Sequence, residues 1–183
     1  ALTYEIGVFN GDGDNGKLTE PQFVEEGEPE PEAGPSVAGR VTVTPLSSLQ
    51  GVGKLDSLRI GVAYTNAELP EGLNSLRGES LYGTAEFFEP VYVKGRRQRT
   101  GVELEWTPGS NGIKAEWMQA REDRREQSNR DQDLSDLVST GWYVSGTWIV
   151  TGEDKDSSIN PRAPLFRGGV GAIELGVRYD TLG

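Results

Sequence analysis

Glu103 and Glu105 stand two residues apart in a run whose intervening and flanking positions, Val102, Leu104 and Trp106, are apolar. On an extended strand such residues share a face, so both carboxylates project together, as a pair for acid–base work would have to. The rest of such a site is missing. The chain has no histidine and no cysteine, which removes the commonest general base, thiolate nucleophiles, thiolate metal sites and disulfides. No catalytic residue, metal site or cofactor motif stands out, and the chain reads as a non-enzyme. The same spacing recurs with bases: Arg40, Arg59, Arg99, Lys114 and Arg178 alternate with apolar neighbours, as do Glu5, Glu116 and Glu174. Charged side chains of both signs on one face of many strands suit a water-filled lumen that sorts solutes by charge. Each of these bases is more simply read as solvated, or paired with an acid across strands, than as a ligand. Arg96, Arg97 and Arg99 form the densest basic cluster, placed where a long loop re-enters the wall. They would either draw anions toward a pore or balance the acidic segment at residues 12–32, and the second reading is the simpler.

That acidic segment holds eight acids against one lysine and is rich in Pro and Gly, the composition of a solvated loop. Asp12 and Asp14 in the stretch DGDNG suggest an oxygen-ligand loop for a hard cation, but the distal Glu of a full calcium loop is absent. The net charge of −11 argues against nucleic acid as a partner, since a phosphate backbone calls for a basic surface. Nowhere does the chain approach the roughly 20 consecutive apolar residues that a transmembrane helix needs. A transmembrane strand makes a weaker demand, an apolar residue at every second position over about 9 to 11 residues.

Seven segments show that alternation. Leu2, Tyr4, Ile6 and Val8 share one face; so do Val37, Gly39, Val41 and Val43; Ile60, Val62 and Tyr64; Thr100, Val102, Leu104 and Trp106; Ile113, Ala115 and Trp117; Trp142, Val144, Gly146, Trp148 and Val150; and Ile173, Leu175, Val177 and Tyr179. Pro45 closes the second because it cannot donate to a ladder, and TPGSNG supplies turn chemistry between the fourth and fifth. Long links at 10–36, 65–95 and 121–139 alternate with short ones, except toward the end of the chain, and residues 133–138 carry at most a helical turn. Long loops at one end are the mark of outer-membrane barrels, where they face outward. Aromatics on the apolar face fall near strand ends: Tyr64, Trp142 and Tyr179 toward the loops, Trp106 and Trp148 toward the turns, with Trp117 mid-strand. Tyr and Trp there match membrane-interface girdles. A soluble sandwich or lipocalin-like barrel would share the alternation but gives no reason to gather the loops at one end. The chain is therefore expected to be all-β, one antiparallel transmembrane barrel segment over 1–183. With strand patterns at both ends and no signal peptide at Ala1, it reads as an excerpt of something longer.

Four blocks carry a family resemblance: RTGVELEWTPG, IKAEWMQAREDR, DLSDLVSTGWYVSGTWIVTGE and PLFRGGVGAIELGVRYDTL. They resemble the porin family named for the phosphate-selective porins O and P, from about Gly95 to Leu182, with weaker likeness in AGRVTVTPL and YEIGVFNGDG. The resemblance implies a sixteen-stranded, trimeric porin in the outer membrane of a Gram-negative-type bacterium. Its partners would be outer-membrane lipid and small anions or other small solutes, passed by a basic constriction with lumenal arginines. The chain is shorter than such a barrel requires, because open ladder edges in lipid leave amides unsatisfied. A second role stays open, a structural or accessory component of a larger outer-membrane assembly that conducts nothing.

Overall fold

The computed structural model describes residues 1–10, 34–48, 53–73, 88, 91–155 and 159–183. Those residues form β1 (Leu2–Asn10), β2 (Pro35–Val43), β3 (Arg59–Leu73), β4 (Tyr92–Trp106), β5 (Asn111–Arg124), β6 (Leu134–Ile149) and β7 (Glu174–Leu182). Each strand pairs antiparallel with its neighbour in sequence, giving one seven-stranded sheet in the order β1 to β7. The expected all-β meander is present. The sheet is not closed: β1 and β7 each have one partner among the described residues.

Register follows from the alternation, because slipping any strand by one residue would turn its apolar set to the wrong face. One continuous row across the sheet reads Tyr4, Val41, Val62, Val102, Trp117, Trp142 and Thr181. The next reads Leu2, Val43, Ile60, Leu104, Ala115, Val144 and Tyr179. These side chains are not gathered into a core; Tyr4, Val41, Val62, Val102, Trp142, Val144 and Tyr179 are all exposed. A large apolar face without protein cover is what lipid-facing strands present.

Four of the strands are longer than their alternation indicates. Residues 65–73, 92–95, 121–124 and 134–139, expected in loops, belong to β3, β4, β5 and β6, and the helical turn expected at 133–138 is strand from Leu134 onward. Beyond Tyr64 the outward positions of β3 and β4 turn polar, Asn66 and Glu68 standing beside Gln98 and Arg96, and Arg121 and Asp136 pair between β5 and β6, while exposed Val8, Val37 and Val138 keep the flanking strands apolar in the row of Asn66. The period-two signal fades there because the outer surface meets water, while the ladder itself continues. β3 alone runs on through Leu73, roughly 30 Å of strand at about 3.3 Å per residue. Register shifts fall between Leu69 and Gly72, Lys94 and Arg97, and Glu122 and Arg124, all in this extension. Gly95 has a φ of 110°, and a Cβ there would come within 2.8 Å of the Arg125 Nε, so a glycine is required where β4 bends.

At the opposite end β4 stops at Trp106 and β6 one residue past Trp148. The turn at 107–110 is tight, and a 3-10 turn at Gly53–Ser57 packs against it: the Trp106 Nε1–H donates to the Lys54 carbonyl at 2.9 Å, and Ser57 Oγ donates to the Thr107 carbonyl at 3.1 Å. The connection at 150–173 also lies at this end, so chain length outside the strands does not by itself separate the two ends. It is tied down by Glu153, which is buried and accepts from the Thr151 hydroxyl and from the Arg162 amide at 3.0 Å. Those two donors, the Thr151 hydroxyl first, hold the Glu153 carboxyl below the usual carboxylate range.

Candidate functional site

The face opposite the apolar rows carries the charges. Arg59, Glu105 and Lys114 stand side by side on β3, β4 and β5, and Glu105 pairs with both bases, at 2.9 Å from the Lys114 Nζ. Opposite charges directly across antiparallel strands are the favourable arrangement. One row along, Glu103 faces Glu116 across β4 and β5, a like-charge pair that should repel. The repulsion is relieved on the other side. Glu103 is also opposite Gly61 on β3, and a Cβ on Gly61 would lie 2.4 Å from the Glu103 Oε1. The carboxylate therefore lies across the bare backbone of β3 and pairs with Arg40 on β2. Arg40 is in turn directly opposite Glu5 on β1.

Glu116 faces Tyr143 on β6, and the Arg178 guanidinium of β7 stacks over that tyrosine ring, 3.8 Å from its centre, with Asp180 at 3.4 Å from its Nε. Lys155 reaches in from the 150–173 connection to Glu174 and the Thr147 hydroxyl. The sheet thus brings together Arg40, Arg59, Lys114, Arg178, Glu5, Glu103, Glu105, Glu116 and Glu174 on one surface. Arg99 shares that face further along, opposite Thr65 and Ala120. The ion pairs are partly open to solvent: the Arg40 and Glu103 side chains are 45% and 31% exposed.

Two residues of this surface escaped the sequence reading. Asp180 lay in plain view, in step with Glu174, Gly176 and Arg178. Lys155 did not, because it comes from an irregular segment with no period to follow.

The basic cluster is not a loop. Arg96, Arg97 and Arg99 lie within β4, and alternation divides them: Arg96 is exposed on the outward face, while Arg97 turns the other way. Arg97 is 4% exposed and paired with Glu122, itself 5% exposed. Ala67, Leu69 and Val93 are buried in the same part of the sheet. The candidate cation ligands Asp12 and Asp14 lie outside the described residues.

Among the interface aromatics, Tyr64 sits where the outward face turns polar, its hydroxyl accepting from Gln98 Nε2 at 2.9 Å. Trp142 and Tyr179 pack together with ring centres 5.6 Å apart. Trp106 and Trp148 stand near the tight-turn end.

An antiparallel meander, apolar and uncovered on one face and charged on the other, is the wall of a transmembrane β-barrel. The family model described as phosphate-selective porin O and P matches residues 50–183. The chain belongs to that porin family, an outer-membrane family, as the four sequence blocks indicated. No curated protein and no solved structure matches it.

Proposed function

We propose that the charged face lines a water-filled channel through which small solutes diffuse passively, with small anions of the phosphate kind favoured. In this reading further strands complete a sixteen-stranded barrel that assembles as a trimer, as the family resemblance implies. The apolar face meets outer-membrane lipid, with Tyr64 toward its outer margin and Trp106 and Trp148 at its inner one, while Trp142 and Tyr179, first expected at a margin, stand in the rows between. The extended wall beyond Tyr64 stands on the extracellular side, with the links around it serving as outer loops.

The observation that carries this is the charged surface that runs from Arg40 on β2 to Lys114 on β5 and, across the Tyr143 ring of β6, to Arg178 on β7, set back to back with uncovered apolar rows. Ion pairing does not silence the bases. A guanidinium has five N–H donors, and a single carboxylate occupies only some of them. Arg40 and Arg59, about half exposed, can still offer donors to a passing oxyanion and stand in for part of its hydration shell.

Planar-bilayer recording on the intact porin tests the reading. Under a salt gradient the expected result is steady ohmic conductance with a reversal potential on the anion side. Inserted, folded protein that conducts nothing would instead assign the chain to a structural role in the outer membrane.

A further inference from the structure

We propose that a groove on the outward face, between Trp106 and Trp148, seats one acyl chain of a phospholipid from the periplasmic leaflet. The groove has a volume of about 570 Å³ and is lined by Trp106, Ile113, Gly146, Trp148, Leu175 and Val177. That falls within the ~300–1,000 Å³ typical of small-molecule sites. Its floor is a missing side chain. Gly146 stands between Ile113 on β5 and Val177 on β7, and a Cβ placed on it would meet only the Val177 Cγ1, at 3.9 Å. One wall is fixed before any lipid arrives, since the Trp106 indole is pinned to the Lys54 carbonyl.

The occupant follows from chemistry and position. No charged residue lines the groove, and it opens on the face whose surroundings are hydrocarbon, so an uncharged chain is the complementary guest. Even a shallow depression flanked by Trp106 and Trp148 touches methylene groups from its floor and its sides, where a flat wall touches them on one. Asn111, exposed at the turn end of the groove, offers an amide at the level of ester carbonyls. The leaflet is set by the ends of the sheet. The groove lies where strands stop beside their tryptophans, and the charged extension of the wall rises from the other end, the end that faces outward in such barrels.

This inference rests on the membrane reading of the apolar face, and the two can fail separately. In the intact porin, all tryptophans except Trp106 and Trp148 are replaced by Phe. Phosphatidylethanolamine with brominated acyl chains is then titrated into detergent micelles while tryptophan fluorescence is read. The expected result is quenching that saturates while bromolipid is still a minor fraction of the micelle. Gly146→Phe, which fills the floor, should abolish the saturable component. Gly39→Phe, at another open position on the same face, should leave it intact. Quenching that merely tracks the bromolipid fraction, or that survives Gly146→Phe, overturns the proposal. So does shielding of Trp106 and Trp148 alongside free quenching of a Trp142-only variant, which would place a protein partner in the groove. If Trp142 also escapes quenching in bromolipid bilayers, the membrane reading itself falls.

Discussion

The membrane band and the wall that extends beyond it are built from the same strands in the same ladder, yet they are inside-out with respect to one another. In the band, Val62, Val102 and Trp142 face outward uncovered while Arg40, Glu103 and Glu105 face the other way in solvent. In the extension the outward positions hold Asn66, Gln98, Arg121 and Asp136, with Val138 the apolar one among them, and the buried side chains are Ala67, Leu69, Val93 and the Arg97–Glu122 pair. A strand has no intrinsic polarity of face. The surroundings choose which side is apolar, and here they change partway along one strand.

The comparison is broken most severely by removing a carboxylate from the buried part of the extension. Glu122→Ala deletes the acid paired with the buried Arg97 guanidinium and should cost about 3–5 kcal/mol, whereas Glu103→Ala in the half-exposed band pair should cost no more than about 1 kcal/mol. Denaturant unfolding of the porin in vesicles measures both, and similar values would erase the distinction between the regions. Next in size, a cation on the outward face should be punished only inside the band. Val62→Arg is expected to cost about 2–4 kcal/mol and Asn66→Arg, four residues further along β3, about 0–1 kcal/mol.

Smaller again is the effect of removing charge without removing shape. Glu103→Gln frees the Arg40 guanidinium while leaving the fold within about 1 kcal/mol, and the reversal potential under a salt gradient should move toward anions. Gly61→Val should do the same by another route, because its side chain occupies the path the Glu103 carboxylate takes to Arg40. The smallest effect is at the tight-turn end. The carboxyl of Glu153 is held low in the folded chain, so its stabilising contribution is complete above the ordinary carboxylate pKa and is lost as pH falls through the depressed value. The protection factor of the Arg162 amide, its exchange rate relative to that of an unstructured peptide at the same pH, should therefore fall on acidification below that point, and Glu153→Gln should remove the dependence.

The band was legible in the sequence because lipid on one side and water on the other impose a strict period of two. Every apolar position from Leu2 to Trp148 named from that period shares the expected face, and the charged set from Arg40 to Arg178 shares the other. The extension was not legible, for the same reason in reverse. Where Asn66, Glu68, Arg96 and Arg121 face water, outward polarity looks like loop, and the few buried residues opposite are too small or too charged to announce a strand. Arg97 shows this most clearly. Among three arginines within four positions it reads as a counter-charge to the acidic segment at 12–32, yet it is the most deeply buried base described, because Glu122 lies directly opposite it on β5. The reach of Glu103 over Gly61 was also hidden, since it depends on register between strands far apart in the chain.

The meander has a bearing on how such a wall is made. Every described strand finds its partners next door in sequence, so within this sheet no pairing waits for a distant segment, and the entropy of closing a link grows only slowly with its length. The turn at 107–110 is the shortest link described, which makes β4 and β5 the pair with least entropy to lose. Assembly by successive hairpins, started there and growing toward both edges, is the order of events that this topology favours.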